Sequence, residues 1–142
     1  MNKTIEEVLE ENGKHFQTTV GDSMEPMLKN RSCIVEIVKP SGELKRYDLP
    51  LYKRPSGQYV LHRIHKVKKD YYLTCGDNRC SREKVPKEWV IGVMKGYYKD
   101  GVYIPESDPK YRRYVRYVCN FFFIRAIFIY VKLKMRSVFK KK

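Results

Sequence analysis

Apolar positions between Thr4 and Gly13 fall at Ile5, Val8 and Leu9, the spacing of one helical face. Thr4 with Glu7 three residues later forms a capping box, and Gly13 stops the helix. After that the period drops toward two. Phe16–Val20 reads as a short strand running into a turn, and Cys33–Val38 as a buried strand ended by Pro40, with a turn at Ser41-Gly42. Asp48–Lys53 is predicted as an edge strand, because Pro50 has no N–H to give a ladder. Arg54–Gln58 connects it as a hairpin to one continuous strand, Tyr59–Val67. There Leu61, Arg63 and His65 share one face, and Val60, His62, Ile64 and Lys66 the other. Tyr71–Thr74, a Gly76-Asp77-Asn78 loop, a last core strand at Trp89–Met94 and a hairpin around Asp100-Gly101 follow. Many short strands at even spacing predict a mostly β domain, a coiled antiparallel sheet with a short N-terminal helix.

The pattern changes after Ile104. Residues 1–104 read as the globular domain, and 105–142 as a Pro105–Pro109 linker followed by a basic, hydrophobic C-terminal helix. Of the 30 Lys and Arg residues, eleven lie between Lys110 and Lys142, where there is no Asp or Glu. The net charge of +14 therefore belongs largely to the tail, and a nucleic-acid partner for the domain is not expected. Tyr117–Val131 is nearly all apolar but interrupted by Asn120 and Arg125, too short and too charged for a good membrane span. Its aromatic and basic mixture predicts attachment to an anionic membrane surface instead, although the apolar residues form no single clean stripe. Met1–Glu7 lacks the apolar core of a secretory signal, so the globular domain is expected on the cytoplasmic side.

The four cysteines, Cys33, Cys75, Cys80 and Cys119, have no metal-ligand spacing. Reduced thiols are expected, with a Cys75–Cys80 disulfide as the competing reading, and neither a metal nor an organic cofactor is expected.

Chemistry concentrates in Gly21-Asp22-Ser23-Met24-Glu25-Pro26. Gly21 permits positive φ and Pro26 is suited to the first turn of a helix, so Ser23 is expected at a strand-to-helix corner with free backbone N–H groups nearby. That is the layout of an exposed nucleophile. His62 is the candidate base, since a neutral imidazole accepts a proton near pH 7. Lys66, on the same predicted face, is the reserve.

Three motifs occur in order: G-D-S-M-x-P at Gly21–Pro26, H-R-I at His62–Ile64 and G-D-N at Gly76–Asn78. Together they resemble the clan of serine peptidases that holds type I signal peptidases and self-cleaving SOS repressors. The His62-Arg63 pair resembles the branch, found in endoplasmic-reticulum and spore-former enzymes, with His in place of the general-base Lys. The resemblance implies Ser23 as nucleophile, His62 as base and an acidic third member. Asp77 matches the loop motif and is the favoured third member; Glu83, six residues on, matches a further family acid but as Glu rather than Asp, and is the alternative that would orient His62 while Asp77 shapes the loop. Gly21 departs from a hydroxyl residue that assists the oxyanion hole in many relatives, leaving more of that role to the Ser23 N–H. The implied activity is endopeptidase cleavage of leader or signal-like peptides carrying small side chains before the scissile bond, the substrate docking as an added strand. Two rivals stand beside it: a self-cleaving, repressor-like regulatory domain, and a non-catalytic membrane-surface adaptor on a peptidase fold.

Overall fold

The computed structural model describes residues 2–140. The described residues are mixed α/β, with nine strands and three α-helices among them in the order α1 (Ile5–Asn12), β1 (Lys14–Thr18), β2 (Cys33–Val38), β3 (Pro50–Lys53), β4 (Tyr59–Leu61), β5 (Arg63–Val67), β6 (Tyr71–Cys75), β7 (Glu83–Pro86), β8 (Val90–Lys99), β9 (Val102–Pro105), α2 (Pro109–Asn120) and α3 (Phe122–Lys140). The helix at the start forms as its sequence predicts. Thr4 Oγ1 accepts from the Glu7 N–H, the Glu7 carboxylate accepts from the Thr4 N–H, and Gly13 takes the left-handed conformation at φ +75°. Leu9 is its buried contact with the core.

All strand pairings are antiparallel. Six strands form a curled sheet in the order β1-β2-β8-β3-β4, with β9 also paired to β8. Irregularities at Glu36/Ile37 and Leu51/Tyr52 interrupt its ladders, and bulges of this kind increase local twist. β5-β6-β7 form a second, three-stranded sheet. Val35, Ile37, Leu49, Leu51 and Met94 fill the main core beneath the curl.

Several expectations change. The Asp48–Lys53 segment is not an edge: β3 pairs with β8 on one side and β4 on the other. Pro50 is tolerated because it is the first residue of the strand. The run Tyr59–Val67 is two strands broken at His62, where the chain leaves the large sheet for the small one. The last core strand is longer than Trp89–Met94, since β8 reaches Lys99, while Trp89 closes a single 3₁₀ turn. The hairpin at Asp100-Gly101 has both residues at positive φ, as a tight primed turn requires. No disulfide joins Cys75 to Cys80; all four cysteines are free thiols, and only Cys80 is exposed.

The C-terminal region holds two helices, not one, and the first starts earlier than the apolar run suggests. Asp108 caps α2 by accepting from the Tyr111 N–H at 3.0 Å, and Pro109 occupies the first turn. Tyr111, Val115 and Cys119 are buried in the main core, while Arg112, Arg113 and Arg116 face solvent. α3 is different. Only Phe122 is buried, and Phe123 and Phe128 are 73% and 71% exposed. Among the described residues no helix is long and apolar enough to cross a membrane.

Candidate active site

Ser23 sits in a run of turns from Gly21 to Met27, not at the start of a helix. Glu25 N–H bonds to the Asp22 carbonyl, Leu28 N–H to the Met24 carbonyl, and the Glu25–Pro26 peptide is cis. Gly21 has φ +90°, a region where a side chain is strained, and its N–H donates to Asn30 Oδ1. The Ser23 N–H has no backbone partner among the described residues. Met24 and Met27 point into the core and anchor the turn.

The Gly76-Asp77-Asn78 loop lies directly against this turn. Asn78 N–H donates to the Ser23 carbonyl at 2.8 Å, and Asn78 Nδ2 donates to the Asp22 carbonyl at 3.1 Å. Gly76 is required by proximity: a Cβ there would lie 2.7 Å from the Ser23 carbonyl oxygen. Arg79 closes the outer side with an ion pair to Asp22 at 2.6 Å, which holds the Asp22 carboxyl below its ordinary range.

Ser23 and His62 line the same cleft, about 460 Å³ in volume. Its walls include Gln17 and Thr18 from β1 and Tyr59–Leu61 from β4, the two outer strands of the curled sheet. A larger hollow of about 830 Å³ lies between the Val38–Leu49 segment and α2, and none of Ser23, His62, Asp77 or Glu83 lines it.

The two candidate acids occupy different environments. Asp77 does not face His62. Its carboxylate accepts two bonds from Arg63, Nε to Oδ1 and Nη2 to Oδ2, both 3.0 Å, and both side chains are fully buried. Tyr114 adds a third bond to Oδ2 at 3.0 Å. Arg63 also donates to the Tyr47 carbonyl and to the Tyr111 hydroxyl at 2.9 Å, so His62 and its neighbour serve opposite sides of the chain. Glu83, at the head of β7, lies on the His62 side. Tyr52 Oη donates to Glu83 Oε1 at 2.6 Å and stands 3.5 Å from His62 Nδ1. Arg54 grips both carboxylate oxygens. Burial pushes the Glu83 carboxyl up, but the bonds from Arg54 and Tyr52 outweigh it and hold it below the ordinary value. Tyr52 is the residue that sequence reasoning missed. A tyrosine in a strand reads as packing, and only its complete burial, with the need to partner the hydroxyl, marks it.

Burial lowers the His62 pKa to about 4, with Glu83 opposing that shift. His65 is similarly lowered to about 4 by burial and by Arg82, and neither of its ring nitrogens has a hydrogen-bond partner. Both imidazoles are neutral in the folded protein at pH 7 and charge near pH 6.5 when unfolded. Between those values the unfolded chain binds more protons. The stability contributed by these two histidines is therefore expected to be fully present above about pH 7 and to be lost as pH drops from 6.5 to about 4. His65 alone contributes on the order of 2–3 kcal/mol to this loss. Urea unfolding across that range measures it, and a His65→Leu protein should show a shallower decline. An identical pH profile would refute the assignment.

Lys66 is exposed on the far half of β5 and does not line the cleft, which leaves His62 as the base candidate on geometry. With this arrangement established, comparison with known proteins adds no relative: no protein-family model, no curated protein and no solved structure matches the chain.

Proposed function

We propose that the protein is a serine endopeptidase of the signal-peptidase type, acting through Ser23 and His62. The supporting observation is that two residues far apart in sequence share one cleft, with the G-D-N loop backing the carbonyl of the first. Ser23 Oγ attacks the scissile carbonyl, and His62 Nε2 takes its proton. The Ser23 N–H stabilises the oxyanion. Collapse expels the amine, which receives the proton from His62, and water then hydrolyses the acyl-enzyme by the same relay.

The third member is Glu83, acting through Tyr52. Tyr52 gives its own proton to Glu83, so its oxygen is free to accept from His62 Nδ1–H. That tautomer leaves Nε2 unprotonated toward the cleft, and the carboxylate steadies the imidazolium that forms. Asp77 instead supports the loop. An extended peptide adds beside β4 or β1 along the cleft walls, its small side chains fitting the narrow space near Ser23. Covalent labelling by a fluorophosphonate tests this reading: the adduct should sit on Ser23 alone. A folded protein that takes no label favours the adaptor on a peptidase fold.

The exposed apolar surface of α3, with Lys132, Lys134, Arg136 and Lys140 along it, supports attachment to an anionic membrane surface. The cut that tests it lies after Ala126, because removing α2 would strip Tyr111, Val115 and Cys119 from the core. A chain ending there should fold and cleave peptide but no longer sediment with phosphatidylserine-containing vesicles. Continued sedimentation would place the anchor elsewhere.

A further inference from the structure

The loop that backs Ser23 is itself held from behind by both C-terminal helices. On its inner side, Asn78 N–H bonds the Ser23 carbonyl and Gly76 packs against Ser23. On its outer side, Tyr114 of α2 donates to the Asp77 carboxylate, and Arg125 of α3 donates through Nη1 to the Asp77 backbone carbonyl. Arg125 Nε also donates to the Val118 carbonyl at 3.1 Å. That carbonyl belongs to the last turn of α2, which has no intrahelical partner for it. One guanidinium thus joins the end of α2, the start of α3 and the middle residue of the loop. Phe122, buried beside it, meets His65 edge to face and carries Arg82 over its ring, so the first residue of α3 is packed against the body of the fold. These contacts explain a charge that otherwise only interrupts an apolar segment: Arg125 serves α2 through Nε and the loop through Nη1, while its Nη2 is buried without a hydrogen-bond partner.

We propose that Arg125 and Tyr114 are positioning residues for Ser23, so that the two C-terminal helices complete the active site without touching substrate. The proposal rests on the Ser23 hydrolase reading for its effect on rate, and on geometry alone for its effect on the loop. Arg125 spreads a planar fork over two carbonyls, which a lysine can only partly reproduce.

The full-length protein carries the test. In Arg125→Ala, kcat and the rate of fluorophosphonate labelling should fall about 10- to 100-fold with KM nearly unchanged, the pattern of a displaced nucleophile. Arg125→Lys should recover part of that loss, and Tyr114→Phe should lose less than Arg125→Ala. Hydrogen exchange at Asp77–Arg79 should rise at least about tenfold in Arg125→Ala while β2 and β8 stay protected, since only the local opening equilibrium changes. If Arg125→Ala does not fold, the Lys and Phe variants supply the same comparison. An active wild type whose Arg125 and Tyr114 variants keep both rate and loop protection overturns this inference alone. A wild type that takes no label, but whose loop loosens in Arg125→Ala, overturns the hydrolase reading and upholds the coupling.

Discussion

Ser23→Ala and His62→Ala proteins should each lose peptide cleavage by at least about 10⁴-fold while keeping the wild-type fold. The sizes follow from the two roles. Without Ser23 no acyl-enzyme forms. Without His62 the hydroxyl keeps its proton, and the departing amine has no acid. The two losses should not add, because they disable one relay. Tyr52→Phe and Glu83→Gln act one and two hydrogen bonds out from His62, so their cost should be smaller, about 10²–10³-fold, with folding intact. The pH dependence offers an independent check. Burial lowers His62 to about 4, so the acidic limb of kcat/KM should lie near that value rather than near 6.5. Retained turnover in Ser23→Ala would remove the nucleophile from this scheme. Retained turnover in His62→Ala would require another base, and none of the other described histidines or Lys66 lines the cleft.

The sequence singled out Ser23, His62, Asp77 and Glu83 as candidates, and the structure sets Ser23 and His62 in one cleft; which partner each acid meets was not legible, for physical reasons. Ser23 and Gly76–Asn78 are read locally: a positive-φ glycine, a turn, and a glycine that admits another backbone are properties of short segments. Asp77 is not, because a carboxylate in such a loop takes whichever cation the fold delivers. Alternation along an unbroken strand would set His62 and Arg63 on opposite faces, but only the break at His62 shows that Arg63 goes to Asp77 and His62 to the cleft. β7 gave no signal because Glu83-Lys84-Val85-Pro86 buries one side chain, Val85, and four residues cannot show a period. β3 was misplaced at an edge because its pairing with β8 is long-range, Pro50 opposite Val93. α2 was within reach. Asp108-Pro109 is an N-terminal signature, and Tyr111, Val115, Val118, Cys119 and Phe122 form one helical stripe. The true mixed α/β balance follows from those C-terminal helices, the first of which is part of the core.

Asp77→Ala should destabilise the fold by about 3–5 kcal/mol, the cost of leaving one member of a buried ion pair without its partner. The Arg63 guanidinium would remain fully buried, its pull on the Tyr111 hydroxyl and Tyr47 carbonyl unable to replace a carboxylate. Against a total stability of roughly 5–15 kcal/mol for a domain of this kind, that is a large share, and Tm should fall by roughly 10–20 °C. Replacing both partners, Arg63→Met with Asp77→Leu, should cost much less than the sum of the single changes, because no buried charge is then stranded. Asp77→Asn distinguishes support from catalysis. It keeps the shape and one acceptor, so a structural Asp77 predicts a lowered Tm with partial turnover in the molecules that stay folded. Glu83→Gln should show the reverse, a near-normal Tm with depressed turnover, since Glu83 is only half-buried and its partners can rearrange. An Asp77→Asn protein with wild-type Tm and no turnover would mean that Asp77, not Glu83, governs His62, and the Tyr52 relay would have to be abandoned.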